Sequence, residues 1–334
     1  MFNNKSILIT GGTGSFGKEF VKIILKKYPK IKRLVIYSRD ELKQFDMSLN
    51  YNENIYPGIR YFLGDVRDYM RLNLALQNID VVVHAAALKQ ITAAEYNPFE
   101  FVKTNIIGAQ NVVNACLNNN VSNVIALSTD KAVSPTNLYG ATKLCSDKIF
   151  ISANNIKGNR NLKFSVVRYG NVFGSRGSVV PLFLKQQKNN CFTITDKRMT
   201  RFNMALKDCV NMVIWSIQNN IGSEIFVPKL SSYKIIDLAK AIDSKCKIKL
   251  IGVKTGEKIH EELIVQSENT HLIEMDNYYV IIEDKKNASN FIKKFKKAKI
   301  IKKSFIYNSG NNKAILKIKE LKNLIKEYQL AKNL

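Results

Sequence analysis

Three observations predict an α/β fold for this chain of 334 residues: a doubly wound parallel sheet with a smaller C-terminal substrate-binding lobe. Short β-branched runs alternate with amphipathic stretches through the first half, the pattern of parallel strands joined by crossover helices. A glycine-rich turn separates the first run from the first amphipathic stretch. After residue 168 the alternation loosens into a stretch rich in Gly, Thr, Arg and aromatics, as a second lobe built from loops would.

Strands are expected at 6–10, 33–38, 60–64, 80–84, 123–128 and 163–168, and helices at 17–27, 67–77, 98–118 and 139–154. Residues 169–204 read as loops with short strands. A helix at 207–219 is expected to return to the first lobe. A further helix at 235–243, a short strand at 247–251 and a turn-rich stretch lead to residue 284, and a terminal helix is expected near 312–328. The chain thus divides into a nucleotide-binding lobe (5–168, with 205–220 returning to it), a second lobe (169–284) and a basic extension (285–334). No internal repeat is visible.

Hydrophobic content of 46% and charged content of 24% are those of an ordinary globular protein. No apolar run is long enough to span a bilayer, and residues 1–10 lead straight into a strand without a signal-peptide pattern. Five scattered cysteines without CxxC spacing point to reduced thiols and a cytoplasmic location, and with three histidines no metal centre is expected. The net charge of +25 is carried mostly by lysine and is heaviest after residue 284, as in Lys293-Lys294-Phe295-Lys296-Lys297. Abundant Lys, Asn and Ile fit an AT-rich coding bias, with a genuine anionic partner as the alternative; nucleic-acid recognition would favour Arg, so no nucleic-acid partner is expected.

The turn Thr10-Gly11-Gly12-Thr13-Gly14-Ser15-Phe16-Gly17 follows a strand and opens a helix. Gly11, Gly14 and Gly17 let the backbone turn tightly, approach a pyrophosphate and pack helix on strand, the Rossmann-type device for a dinucleotide. The second strand ends in Ser38-Arg39-Asp40. A hydroxyl and a planar cation suit a 2′-phosphate and favour NADP, while Asp40 keeps NAD open. Asp65 and Val66 would flank the adenine, and Ala85 and Ala86, with Ala87, are small enough for a cofactor to pass. His84 reads as a packed strand-end residue.

Tyr139 and Lys143 lie one helical turn apart on one face, and an ammonium beside a phenol makes a base for a sugar hydroxyl. Just upstream, Thr129-Asp130-Lys131 at the end of the fifth strand adds a carboxyl and an amine that simple hydride transfer does not need. Oxidation is then a means to a second reaction.

The glycine turn, the Ala-rich strand end and Tyr-xxx-Lys together resemble the extended short-chain dehydrogenase/reductase superfamily. Further motifs follow in order: 38–44 (SRDELKQ), 94–98 (AEYNP), 128–132 (STDKA), 168–172 (RYGNV), 174–181 (GSRGSVVP), 194–202 (ITDKRMTRF) and 256–261 (GEKIHE). These resemble the inverting UDP-N-acetylglucosamine 4,6-dehydratases of pseudaminic-acid biosynthesis, over residues 5 to about 284. The resemblance implies that Tyr139 takes the 4-hydroxyl proton as hydride leaves for NADP, with Thr129 bonded to the same hydroxyl and Lys143 holding the nicotinamide ribose. It implies Lys131 as the base at carbon 5 and Asp130 as the acid for the departing 6-hydroxyl. Thr13, Ser15, Phe16, Lys43 and Lys89 join the cofactor contacts. Asn171 is implied at the diphosphate, Ser178, Val179 and Val180 at the uracil, and Thr193, Arg201, Glu257, Lys258 and Lys89 elsewhere on UDP-N-acetylglucosamine. Each could instead be an ordinary loop or surface residue. The base role requires a neutral Lys131, which nearby cations would favour and Asp130 would oppose.

The chain departs from the family pattern at Lys89-Gln90-Ile91-Thr92, at Asn203, and at Lys254-Thr255 before the 256–261 motif, all near expected sugar or nucleotide contacts. The rival readings are a retaining 4,6-dehydratase or 5-epimerase on the same substrate, a 4-epimerase, which needs no Asp-Lys pair, and a non-catalytic NADP-sensing regulator, which would lack Tyr-xxx-Lys. Relatives pair through Rossmann-lobe helices, so the resemblance also implies a homo-oligomer.

Overall fold

The structure, a computed structural model, describes residues 2–175, 177–253, 255–268, 270–301 and 304–332. Arg176 of the 174–181 motif and Lys254 lie outside the described residues.

Six parallel strands form the frame: β1 (Ser6–Thr10), β2 (Arg33–Ser38), β3 (Ile59–Leu63), β4 (Val81–His84), β5 (Asn123–Thr129) and β6 (Lys163–Tyr169), in spatial order 3-2-1-4-5-6. Alternate side chains leave opposite faces of each strand, so β1 sends Ile7 and Ile9 into one core and Leu8 into another. Helix α1 (Ser15–Lys27) and the helix Leu206–Asn219 pack on the first face. On the second lie α3 (Tyr69–Ala75), α6 (Gly108–Asn118) and α7 (Leu138–Ile156), with α2 (Glu41–Asn50), α4 (Ile91–Tyr96) and α5 (Pro98–Phe101) completing the first half. The doubly wound α/β architecture expected from the sequence is the one observed. No helix of the described residues is long and apolar enough to cross a membrane.

Several elements differ from expectation. Among the described residues the sheet has ten strands: Glu224–Pro228 runs parallel beside β6, followed by antiparallel Tyr278–Ile282, Leu272–Glu274 and Lys299–Ile300. Segments of the second half therefore extend the central sheet, because their apolar runs bury against the same two cores. The stretch 98–118 is a short helix, a π-helical segment Val102–Ile107 and then α6. Within the widened turn Asn105 bonds both the amide and the carbonyl of Leu88 at 2.9 Å and the Thr142 hydroxyl at 3.0 Å, tying the loop after β4 to α7. The stretch read as loops contains the helix Val179–Gln187, with Ser178 at its N-terminal cap position.

The remaining lobe has its own core, in which Phe183, Phe192, Leu238 and Leu321 are buried. Strand Thr200–Asn203 pairs antiparallel with Ser231–Lys234, setting Arg201 opposite Tyr233. The C-terminal helix Ile318–Lys332 packs here through Leu321 and Ile325.

Candidate active site

The strand ends of β1, β2 and β4 build a crevice. Gly11 has φ +66°, and a Cβ on it would lie 2.9 Å from the Ala86 backbone; one on Gly17 would lie 2.2 Å from the Gly12 carbonyl oxygen. Both positions exclude a side chain, which brings the backbone of 11–17 against β4 and α1. Gly14 caps α1 without any side-chain hydrogen bond, so the amides of Ser15, Phe16 and Gly17 open the helix uncovered. Thr13 and Ser38 hydroxyls meet at 2.8 Å, and Arg39, half exposed, reaches Asp65 at 3.6 Å. Asp40 caps α2 at the Lys43 amide, 3.0 Å, and also pairs with the Lys43 ammonium. Val66 is buried and accepts from Asn111 through its carbonyl at 3.0 Å. The Ala85 and Ala86 amides both donate to the Thr10 hydroxyl at 3.2 Å. His84, 2.9 Å from that hydroxyl, is pushed down to about 3 by burial and by the Lys143 charge, so it is a neutral packing residue.

At the end of β5, Thr129 gives way to a single 3₁₀ turn, Asp130–Ala132. Asp130 is buried, and its Oδ1 accepts from Thr129 Oγ1 at 2.9 Å and from Lys131 Nζ at 2.8 Å, while its Oδ2 has no partner. Burial raises the Asp130 carboxyl above the usual range, against the pull of Lys131. For Lys131 burial works against the ammonium, but Asp130 and Glu261 outweigh it and its pKa stands above the ordinary lysine value. Lys131 is therefore held as the ammonium, and the neutral amine that the base role demands is not its favoured form.

Tyr139 is pushed up to about 12 by burial, which outweighs the Lys131 charge and a hydrogen bond with Thr129. Here the cation acting on the phenol is Lys131. Lys143, lowered by burial, donates to the Leu127 carbonyl at 2.8 Å and faces Asp147. The helical spacing led one to expect tuning by Lys143; at Tyr139 the field of Lys131, from the strand end, also lowers the phenol.

Beside this cluster lies a cavity of about 240 Å³ lined by, among others, Asn171, Ser178, Val179, Val180, Thr193, Arg201 and Glu257. Seven residues singled out in the sequence thus share one cavity. Asn171 Oδ1, Ser178 Oγ and Glu257 Oε2 are buried there without hydrogen-bond partners, an arrangement that a polar ligand would complete. Thr193 is held by Gln186 at 2.7 Å. One expected contact is turned elsewhere. Lys258 is turned to the Val133 carbonyl and to Glu262 at 3.0 Å, because that turn docks on the loop after the 3₁₀ turn. Lys89 is exposed on the loop after β4.

Glu261 joins the two regions: its Oε1 lies 3.4 Å from Lys131 Nζ and 3.5 Å from Arg201 Nε. Sequence reading placed it in the 256–261 motif without a role. Also unread were Asp147 and Arg168, which lie beneath the site. Arg168 is fully buried, bidentate to Glu268 at 2.8 and 3.0 Å and 3.5 Å from Asp147, whose Oδ2 accepts from Ser128 at 2.7 Å.

A 3-2-1-4-5-6 sheet with a glycine turn, and a Tyr-Lys helix facing an Asp-Lys pair, define a dinucleotide-fold protein equipped for acid–base chemistry. The chain belongs to the polysaccharide biosynthesis protein family, whose model matches residues 7–283. It is 51% identical, over 97% of its length and 98% of the relative's, to a UDP-N-acetylglucosamine 4,6-dehydratase (inverting) of Campylobacter jejuni, as the motif resemblance led one to expect. It is also 42% identical, over 97% of the chain and 96% of the relative, to a UDP-glucose 4-epimerase of Rickettsia bellii. The X-ray structure of Pen from Bacillus thuringiensis superposes with TM-score 0.89 at 38% identity, covering 99% of each chain.

Proposed function

We propose that the protein catalyses the inverting 4,6-dehydration of UDP-N-acetylglucosamine with epimerisation at carbon 5, giving UDP-2-acetamido-2,6-dideoxy-β-L-arabino-hexos-4-ulose. On this reading it is a cytoplasmic, homo-oligomeric NADP-dependent hydro-lyase serving the first step of pseudaminic-acid synthesis. The observation that carries the reading is the hydrogen-bonded Asp130–Lys131 pair, placed within the field of Tyr139 and linked through Glu261 to a cavity-lining arginine.

The residues present fit the cofactor. Uncapped amides at α1 and the glycine crevice suit a pyrophosphate. Asp40 is committed to Lys43 and the α2 cap, so the hydroxyl of Ser38 and the cation of Arg39 meet the ribose side, which favours NADP over NAD. When bound, NADP would accept hydride from carbon 4 and return it to carbon 6.

Tyr139, ionised to the phenolate for this step, takes the 4-hydroxyl proton and afterwards releases it to solvent, with Thr129 holding the same oxygen, and Lys143 holds ribose hydroxyls. The 4-ketone then acidifies carbon 5. Lys131 removes the carbon-5 proton while Asp130 protonates the 6-hydroxyl, which departs as water and leaves a carbon 5–carbon 6 double bond. Each turnover thereby converts a neutral amine and a carboxylic acid into an ammonium and a carboxylate. Inversion requires that carbon 5 be reprotonated from the opposite face by a proton drawn from solvent, which balances the one that Tyr139 releases.

Incubation with UDP-N-acetylglucosamine in deuterated water, read by NMR, tests the reading. An L-arabino 4-keto-6-deoxy product with deuterium at carbon 5 is expected. The D-xylo product would assign retention, and the 4-epimer would favour the reaction named for the Rickettsia relative, for which Tyr139 and Thr129 suffice.

A further inference from the structure

We infer that Glu261 is a positioning member of the acid–base set, holding the Lys131 ammonium between turnovers so that the proton reaching the leaving hydroxyl comes from Lys131 by way of Asp130. The inference rests on the dehydration reading above. Glu261 is buried, and one carboxylate oxygen faces both Lys131 at 3.4 Å and Arg201 at 3.5 Å, while the other has no partner. Its backbone is fixed from the C-terminal segment, beyond the stretch the family model matches. The Glu261 amide donates to Ser309 Oγ at 2.9 Å, the Ser309 amide donates back to the Glu261 carbonyl at 2.8 Å, and Ser309 Oγ also meets Thr200 Oγ1 at 2.7 Å. A carboxylate held this firmly between two cations is a built element of the site.

The charges around Lys131 come from every element packed on it. They are Asp130 on its own turn, Glu261 and, behind it, Lys258 on the 256–261 turn, Arg201 on the strand beside the cavity, and the neutral phenols of Tyr139 and Tyr233. With Asp130, Glu261, Lys131 and Arg201 all ionised the four sum to zero. Moving one proton from Lys131 Nζ to Asp130 Oδ1 across 2.8 Å yields amine and acid, the forms elimination uses, and the sum is still zero because Glu261 and Arg201 remain paired. Elimination then returns a proton to Lys131 from carbon 5 and spends the one on Asp130 as water, restoring the starting state. Without the Glu261 charge, Arg201 would stand uncompensated and would drive the proton off Lys131 into solvent, where Asp130 cannot use it.

The test uses the full-length holoenzyme and UDP-N-acetylglucosamine, comparing wild type with Glu261→Gln and Arg201→Gln. For E261Q, kcat for keto-sugar formation is expected to fall at least about tenfold, with KM within about twofold, as for loss of a transition-state interaction. Oxidation at carbon 4 should persist, so reduced nicotinamide should accumulate in a single turnover, which also shows that the variant is folded. The alkaline limb of the kcat profile should move to lower pH in E261Q and to higher pH in R201Q, opposite signs that a merely structural role would not produce. Dehydration by wild type with unmoved limbs in both variants, or loss of both half-reactions in E261Q, overturns the inference alone. A wild type that forms only the 4-epimer overturns it together with the dehydration reading.

Discussion

Replacing Arg168 by Met removes a fully buried guanidinium and strands two carboxylates of unequal exposure. Glu268 keeps 18% of its side-chain surface and can regain water, whereas Asp147 keeps 2%, with one oxygen already unpartnered. Breaking a buried pair by deleting one partner costs about 3–5 kcal/mol, and Glu268 rehydration places this case near the lower end. The cost also depends on pH. Burial already holds the Asp147 pKa above that of the unfolded chain, against Arg168, and without Arg168 it rises further. A raised carboxyl binds a proton in the folded state that the unfolded state lacks, so stability declines as pH climbs through that window. The R168M deficit should therefore be larger at about pH 8 than at about pH 5.5, both above the ordinary carboxylate range, changing by at most about 1.4 kcal/mol per unit while Asp147 titrates. Urea unfolding at both pH values reads it through the single tryptophan, Trp215, packed 4.5 Å from the Tyr278 ring. R168M/D147N should lose the added pH dependence and recover part of the stability. An equal deficit at both pH values, or a double variant less stable than R168M, refutes the reasoning.

Two further outcomes follow from the crevice. The His84 ring should remain neutral by NMR from about pH 5 to pH 8, and its share of stability should fall below about pH 6.5, where only the unfolded state gains a proton. His84→Gln should flatten that acid slope, and a ring titrating near its ordinary value would refute the assignment. Gly17→Ala places a methyl 2.2 Å from a carbonyl oxygen and must displace α1, with about 1–3 kcal/mol of destabilisation and at least about tenfold weaker NADP binding by titration. Gly177→Ala, where φ is +79° and no atom lies within 4 Å, should carry only a backbone penalty of about 1 kcal/mol and unchanged cofactor affinity.

Periodicity made the parallel frame legible because β1, β4 and β5 are buried on both faces and read as unbroken apolar runs between turns. It could not show the helix Val179–Gln187, nine residues long with Pro181 in its first turn, where a missing amide costs nothing. Nor could it show the π-helical register of 102–107, which exists because Asn105 turns inward to Leu88 and Thr142. The cavity residues were legible only as motifs, since Asn171, Thr193, Arg201 and Glu257 come from separate segments and meet through the tertiary fold. Arg168 opened a recognised motif, yet its partner Glu268 lies 100 residues on, a pairing no local pattern encodes.

Lys131 shows most directly why its protonation state could not be read from composition. A net charge of +25 would on average disfavour another ammonium, yet Lys131 is held protonated. The excess lysines are mostly solvated, and at physiological ionic strength exposed charges fade within about 8 Å. The carboxylates at 2.8 and 3.4 Å sit with Lys131 in surroundings that water screens far less. Two nearby carboxyl groups therefore outweigh the whole surplus of distant cations. One of them, Asp130, adjoins Lys131 in sequence and was legible; the other, Glu261, arrives from 130 residues away. The charge state of the candidate base is thus a property of the folded turn at 256–261, and of the C-terminal serine that holds it.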